Sequence, residues 1–321
     1  MQNRFEKKFG RLAFQFLTNP IYSTKPISCA RSAECDIYSM VGRSDLQAYF
    51  LAIKSILRFT QDFSVTILDD GTLTQKDHAQ LRSHIPNHRL ITLDMADARA
   101  SQELGESSFL YAQRRVYLSW RRLIDMQNFR RSQKIINLDT DVLCINEPIA
   151  LIEWMRADAV PFVLGQCNGP TTPEKINGIL PPGRIGSGGK IPDASDIQSL
   201  FLYHLPELCK RMQRSIRYLD GGCAGVHGFT HELCLTDVEA LLKLCNELHI
   251  PMNKWGAEQS TVLFLLSTKN AQRLPTETNF NFFPDQLHRL KNAELVHFIG
   301  LHRYDRQTYA KAGRLIAKNM T

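Results

Sequence analysis

The chain contains a short apolar run that ends in two carboxylates one residue apart, Lys134-Ile135-Ile136-Asn137-Leu138-Asp139-Thr140-Asp141-Val142. Its branched apolar residues predict a strand, and the two aspartates would stand at the end of that strand. Two negative charges this close are costly unless a cation lies between them. A hard divalent ion such as Mg²⁺ or Mn²⁺ is commonly held by a few carboxylates together with substrate phosphates. The pattern therefore indicates a metal site for phosphate chemistry or, with equal weight, a solvated turn.

A second apolar run carries an imidazole near its end, Glu294-Leu295-Val296-His297-Phe298-Ile299-Gly300-Leu301-His302-Arg303. A neutral imidazole suits Mn²⁺, although a lone histidine in a strand is more often a hydrogen-bonded structural residue. Glycine lets a ligand approach the backbone closely, and the planar fork of an arginine matches the oxygens of a diphosphate. We therefore expect a site for one Mn²⁺ or Mg²⁺ ion and a diphosphate, formed by Asp139, Asp141, His297, Gly300 and Arg303.

Two further short motifs lie between these runs, Cys223-Ala224-Gly225-Val226 and Glu258-Gln259. The order of all four motifs resembles that of nucleotide-sugar glycosyltransferases of the glycosyltransferase A fold. The resemblance is greatest to the retaining family that includes glycogenin and bacterial lipopolysaccharide galactosyltransferases. That family has Asp-x-Asp after a strand, then an Asn-x-Gly-Val-like segment, an Asp-Gln pair and a C-terminal His-x-x-Gly-x-x-Lys. Cys223, Glu258 and Arg303 depart from the family, since they stand where it has Asn, Asp and Lys.

The resemblance implies an α/β fold, a single Rossmann-like glycosyltransferase A domain with a mainly parallel central sheet and an irregular acceptor-side insertion. It also implies metal-dependent transfer of a hexose from a nucleotide diphosphate sugar, with UDP as the expected nucleotide and with retention of the anomeric configuration. The acceptor would be a saccharide, a lipid-linked molecule or a protein. In such a retaining enzyme, the side chain of Gln259 would lie near the anomeric carbon.

Strands alternate with helices from residue 36 onward, which predicts right-handed crossovers and a largely parallel sheet. Ligands bind beyond the carboxyl ends of such strands, so Val41 and Gly42 at the first strand end are expected to border the nucleotide. A segment rich in glycine and proline at about 166–196 lacks periodicity and predicts either a lid or an inert surface excursion. We divide the chain into an N-terminal extension at 1–35, a catalytic domain at 36–303 and a basic C-terminal helix at 304–321.

Other candidate residues follow from local chemistry. Asp220-Gly221-Gly222 lies in a predicted strand–turn–strand at 216–229, where small residues would let the backbone approach a sugar. An inverting glycosyltransferase, the alternative to a retaining one, needs a carboxylate base, for which Asp220 and Glu258 are the candidates. Glu258 equally suits a structural position in the first turn of a helix. Residues 111–129 predict one long helix with several arginines, of which Arg115 is the expected contact to the nucleotide.

The net charge of +7 and the sequence pI near 9.0 fit anionic partners without choosing among them. A non-catalytic module that binds a nucleotide sugar or nucleic acid is therefore the chief rival hypothesis. Aromatic residues near the arginines would support nucleic acid, but their spacing suits helix packing equally well, so nucleic acid is the less favoured partner. Asp69-Asp70-Gly71 imitates a phosphatase motif, but Leu68 stands where the nucleophilic aspartate would be required, so we predict a turn.

Eight cysteines include no Cys-x-x-Cys pair, which argues against a zinc ribbon or a thioredoxin site. Cys144, Cys234 and Cys245 lie in apolar contexts, which predicts buried free thiols and favours a reducing cytoplasm. No apolar run reaches the roughly 20 residues of a membrane-spanning helix. The N-terminal segment 4–17 is basic and aromatic. A docked terminal helix or a frayed tail is favoured there over peripheral contact with the inner membrane surface.

Overall fold

The computed structural model of the protein describes residues 4–157, 159–165, 197–219, 221–300 and 302–320. The predicted lid at 166–196 and the candidate base Asp220 lie outside these ranges. The strands are β1 Cys35–Val41, β2 Ser64–Asp69, β3 Arg89–Ile91, β4 Lys134–Leu138, β5 Val142–Cys144, β6 Phe162–Gly165, β7 Gly222–Phe229, β8 Gln272–Arg273, β9 Asn279–Asn281 and β10 Leu295–His297.

Helices precede, separate and follow the strands along the chain. They are α1 Arg4–Thr18, α2 Leu46–Leu57, α3 Gln75–His84, α4 Leu93–Leu104, α5 Phe109–Val116, α6 Leu118–Asn128, α7 Ile149–Arg156, α8 Ile197–Arg211, α9 Leu235–Glu247, α10 Ala257–Ser267 and α11 Thr308–Lys318. Two large apolar clusters form the core, one built mainly around α2 and β5 and the other around α6, α9 and α10.

One mixed sheet contains all ten strands, in the order β3-β2-β1-β4-β7-β6-β9-β10-β5, with β8 beside β6. Neighbouring strands pair in parallel except where β7 meets β4 and β6 and where β5 meets β10. The predicted α/β class with a mainly parallel sheet is therefore confirmed. The strands β1, β2 and β4 are buried along most of their length, as expected for parallel strands covered on both faces.

The sheet cannot be flat between β4 and β5. Five strand-to-strand steps separate these strands in the sheet, which would place them about 24 Å apart in a flat arrangement. Residues 139–141 alone connect them, and a chain of that length spans at most about 14 Å between the flanking residues. The strands from β4 to β5 must therefore curl back on themselves, and the connecting loop lies where the two ends of the curl meet.

Helix α1 is docked on the rest of the protein through one face. Phe14 stacks on Tyr309 of α11, with ring centroids 4.5 Å apart and planes inclined by 7°. A Cβ atom added at Gly10 would lie 2.6 Å from Cβ of Tyr304, so glycine is required for this close approach. Of the two favoured possibilities, a docked terminal helix and a frayed tail, the structure has the docked helix. Within the described residues, none of the helices has the length and apolarity needed to cross a membrane.

Several local predictions were wrong. The single helix expected at 111–129 is broken at Tyr117, whose backbone is extended, and gives α5 and α6. The first strand of the expected strand–turn–strand at 216–229 does not form, so that β7 alone is present there. Cys234 is exposed rather than buried, because it precedes α9 as its N-cap and its Sγ lies 2.7 Å from Oγ1 of Thr236.

Candidate functional site

Asp139, Asp141 and His297 come together at the closure of the curled sheet. The aspartates lie in the loop between β4 and β5, and His297 ends β10, where it pairs with Val142 of β5. Nε2 of His297 lies 3.1 Å from Oδ1 of Asp141 and 3.9 Å from Oδ2 of Asp139. Each residue offers one ligand atom, and these atoms lie within 4.8 Å of one another.

The donor atoms suit a divalent ion. The distance of 3.1 Å between Nε2 of His297 and Oδ1 of Asp141 is close to the roughly 3.0 Å expected between adjacent ligands of an octahedral ion of Mg²⁺ size. Two carboxylate oxygens and one imidazole nitrogen are also a suitable donor set for Mn²⁺.

The remaining oxygens of both carboxylates are bound by arginines. Arg122 of α6 donates to Oδ1 of Asp139, and Arg303 donates to Oδ2 of Asp141. Burial would raise the pKa of Asp141, but His297 and Arg303 outweigh it and hold that pKa well below its usual range. The carboxylate of Asp141 is therefore ionised at any physiological pH and available to a cation.

The contacts of Nδ1 of His297 orient the ring so that Nε2 can bind a metal ion. Burial lowers its pKa, but the adjacent sulfur of Cys223 and the carboxylate of Asp141 outweigh burial and raise the pKa well above its usual value. Nδ1 lies 3.1 Å from Oδ1 of Asn281 and 3.1 Å from Sγ of Cys223. When Nδ1–H donates to Asn281, the neutral ring presents the lone pair of Nε2 toward the aspartates, as in many metal sites. Protons and metal ions then compete for Nε2.

Gly225 of β7 contacts two of these three residues, Asp139 and His297. The backbone N–H of Asp139 donates to its carbonyl oxygen at 2.8 Å. A Cβ atom at this position would lie 2.5 Å from both Cε1 and Nδ1 of His297. Any side chain at Gly225 must therefore displace the imidazole ring.

Gly225→Ala is expected to weaken Mn²⁺ binding by about tenfold or more, because the displaced ring no longer shares an ion with the two aspartates. Gly300→Ala is the matched control, since a Cβ there meets no atom within 4 Å. Calorimetric titration with Mn²⁺ alone, without nucleotide, compares the two variants. Equal Mn²⁺ affinity in both would contradict the assignment of His297 as a ligand.

A cavity of about 370 Å³ opens beside these residues. Its lining unites all four sequence motifs, which supports the prediction that they form one site. The lining residues include Asp139, Asp141, Cys223, Gly225, Glu258, Gln259, His297, Gly300 and Arg303 together with Tyr117, Ser119, Arg122, Trp255 and Asn281.

Arg122 links the aspartate loop to the first turn of α10. It bridges Asp139 and Glu258, with NH2 of Arg122 2.5 Å from Oε2 of Glu258. Burial raises the pKa of Glu258, although Arg122 opposes the shift. The other oxygen, Oε1, has no hydrogen-bond partner. Nε2 of Gln259 donates to the carbonyl of Gly222 at 3.2 Å, which fixes that side chain at the edge of the cavity.

The other candidate residues that the structure describes lie outside the lining of this cavity. Val41 is buried at the end of β1, and a Cβ atom at Gly42 would lie 2.2 Å from Oδ2 of Asp70. Gly221 forms a turn with φ of +69°, and Gly222 makes room for Leu263 of α10. Contacts of these residues with a nucleotide or a sugar remain predictions.

Arg122 and Asn281 were missed by sequence reasoning. Arg115, the arginine chosen instead, is exposed and lies over the ring of Tyr111 at 5.9 Å. The break at Tyr117 changes the direction of the chain between α5 and α6, so the position of one arginine does not predict that of the other. The sequence places Asn281 in an extended segment. It does not predict that Asn281 pairs with His297, because that pairing depends on the register of β9 and β10.

Two observations concern the alternative functions, which are nucleic-acid binding by the arginines and a phosphatase motif at residues 69–70. Arg114 is buried and donates to both carboxylate oxygens of Asp125, at 2.7 and 2.9 Å, so it cannot contact a polyphosphate. Oδ1 of Asp69 accepts from the N–H of Gly71 at 2.7 Å, which confirms the predicted turn.

No protein-family model matches the chain, and no curated protein matches it in sequence. Solved structures do superpose on it. The galactosyltransferase LgtC, in complex with donor and acceptor sugar analogues, is 14% identical, with 89% of this chain and 96% of that chain covered and a TM-score of 0.47. Mouse xyloside xylosyltransferase 1 is 13% identical, with coverage of 86% and 99% and a TM-score of 0.47. The glycosyltransferase GlyE of Streptococcus pneumoniae TIGR4 is 12% identical, with coverage of 90% and 63% and a TM-score of 0.49.

Proposed function

We propose that the protein is a metal-dependent glycosyltransferase that moves a hexose from a nucleotide diphosphate sugar, with UDP as the nucleotide. The observation that carries this proposal is the convergence of Asp139, Asp141 and His297 at a cavity whose wall also contains Arg303. Such a site can hold a divalent ion and a diphosphate side by side. Val41 and Gly42, at the carboxyl end of a neighbouring parallel strand, are the proposed border of the nucleoside.

Breaking a glycosyl–phosphate bond builds negative charge on the departing diphosphate, and a divalent ion neutralises that charge as a Lewis acid. Asp139, Asp141 and His297 would hold Mn²⁺ or Mg²⁺. Arg303 supplies a second fixed positive charge, since its guanidinium lies beside Asp141 and lines the cavity. Arg122 holds Asp139 and Glu258 in a fixed relation, so the metal side and the sugar side of the cavity keep their spacing.

We propose retention of the anomeric configuration. Among the described residues that line the cavity, the carboxylates are Asp139, Asp141 and Glu258, and each is ion-paired with an arginine. This arrangement supports a route in which the departing phosphate accepts the acceptor proton and no protein base is needed. Gln259 would then position the sugar. An inverting reaction would require Glu258 or Asp220 as the base.

The acceptor is proposed to carry a sugar or another hydroxyl group, on a saccharide, a lipid or a protein. Trp255 stands at the cavity wall with 76% of its surface exposed, so a broad apolar face is available to a pyranose ring. A cytoplasmic location is proposed as well, and it is supported by the burial of the free thiols of Cys144 and Cys245.

The proposal predicts hydrolysis or transfer of sugar from UDP-glucose or UDP-galactose that requires Mn²⁺ or Mg²⁺ and stops on chelation. NMR of the first-formed product from an α-linked donor should show an α-linkage. Gln259→Ala should lower turnover, because the sugar is less well positioned. A β-linked product would contradict retention and make Glu258 or Asp220 the base. Tight binding of UDP and Mn²⁺ without any turnover would support the non-catalytic module instead.

A further inference from the structure

Helix α1 leaves an apolar stripe uncovered. Phe9, Leu12 and Phe16 are 58%, 56% and 81% exposed, and Phe16 is the most exposed large apolar side chain among the described residues. Successive residues of a helix lie about 100° apart, which places these three on one side of α1, away from the docked face formed by Gly10 and Phe14. Elsewhere in the described chain, exposed apolar side chains mostly occur singly.

Basic residues lie beside this stripe. Lys8 and Arg11 are exposed on α1, on the flank next to Leu12. The neighbouring helix α11 exposes Lys311 and Arg314 on its outer side and contains no acidic residue. An exposed apolar stripe with cations on its flank is the pattern of a helix that lies in the plane of a membrane surface.

The basic side of α11 also borders a cavity, because Lys311 is part of its lining. This cavity is apolar, has a volume of about 690 Å³ and is walled in part by Leu287, Leu315 and Ile316. The charged residues among its described lining are all cationic: Arg58, Lys291, Arg306 and Lys311. Thus the outer face of α1, the basic side of α11 and this cavity all combine apolar surface with positive charge.

We propose that this surface docks the protein on a bilayer that contains anionic lipids. Phe9, Leu12 and Phe16 enter the boundary between headgroups and acyl chains, while the cations of α1 and α11 contact the acidic headgroups. Burial of the apolar side chains provides most of the binding free energy. The positive charges provide the preference for anionic lipid.

Docking through α1 would bring the cavity of the active site near the membrane. Phe14 of α1 stacks on Tyr309, and the hydroxyl of Tyr309 donates at 3.4 Å to the carbonyl of Thr140, between the two metal-site aspartates. One side chain therefore separates the docked helix from the aspartate loop. If the proposed glycosyl transfer is correct, this position favours an acceptor anchored in the membrane.

Cosedimentation of the full chain with vesicles tests the surface without donor, metal or acceptor, so its result is independent of the glycosyltransferase proposal. We expect binding to phosphatidylcholine vesicles that contain phosphatidylglycerol, with weaker binding to pure phosphatidylcholine and at high salt. Replacing both phenylalanines, Phe9→Ser with Phe16→Ser, should lower the partition coefficient at least about tenfold. Lys311→Gln with Arg314→Gln should reduce the preference for the anionic vesicles.

The matched control is Met95→Ser with Ile149→Ser, which removes two exposed apolar side chains from other helices and should bind vesicles like the parent. Thermal unfolding verifies that all variants are folded. The proposal is overturned if the parent does not sediment with anionic vesicles at low salt, or if the phenylalanine variant binds as the parent does. It is equally overturned if the stripe instead joins two copies of the chain, seen as concentration-dependent dimers that do not bind vesicles.

Discussion

Asp141→Asn is expected to weaken Mn²⁺-dependent binding of UDP by more than about a hundredfold, and His297→Ala should have a similar effect. The amide of asparagine is neutral, so it cannot balance both a divalent ion and the guanidinium of Arg303. His297→Ala removes the nitrogen that lies 3.1 Å from Oδ1 of Asp141. Isothermal titration of UDP with and without Mn²⁺ measures both effects.

Asp62→Asn is the matched control for the charge change, since its carboxylate is exposed and forms a surface pair with Arg156. This variant should bind UDP and Mn²⁺ like the parent. Circular dichroism should show that the two site variants remain folded. If folded Asp141→Asn and His297→Ala both bind UDP and Mn²⁺ like the parent, the metal assignment is wrong.

Arg114→Met is expected to lower the free energy of unfolding by about 3–5 kcal/mol. The side chain of Arg114 is fully buried and makes two hydrogen bonds to Asp125, whose side chain is only 3% exposed. Burial raises the pKa of Asp125 to about 6 even though Arg114 opposes the rise. Without the guanidinium, a buried carboxyl group that has lost its partner remains in the core between α5 and α6. Denaturant-induced unfolding at neutral pH measures the loss.

Two further variants show whether the loss of stability in Arg114→Met comes from the unpaired carboxyl group of Asp125. Arg156→Met removes an arginine from an exposed pair with Asp62 and should cost no more than about 1 kcal/mol. Adding Asp125→Leu to Arg114→Met removes both members of the buried pair and should recover most of the lost stability. Asp97, the other partner of Arg114, is 45% exposed and remains in contact with water. A loss below about 1 kcal/mol for Arg114→Met alone would show that this pair does not stabilise the fold.

The metal cluster was predictable because its members sit at strand ends. A strand that ends in Asp139-Thr140-Asp141 places its carboxylates at the edge of the sheet, whatever the order of the other strands. The order of the four motifs, which resembles that of the glycosyltransferase family, then predicted that His297 joins those aspartates. The alternation of strands with helices from residue 36 onward likewise predicted the parallel part of the sheet.

Residues whose position depends on distant parts of the chain were not predictable. Arg122 reaches Glu258 across 136 residues of sequence, and Asn281 meets His297 through the pairing of two short strands. Likewise, α1 approaches Tyr304 closely because Gly10 has no side chain. Helical periodicity carries no information about such contacts, because they arise from the packing of separate elements.

The short connection between β4 and β5 also determines how the site would respond to a cation. With three residues to join strands that are five steps apart in the sheet order, the aspartate loop has almost no slack. Its carboxylates are therefore held near His297 by the connectivity of the sheet itself, before any ligand arrives. Little chain entropy remains to be lost when an ion binds, so the fold itself preorganises the metal site.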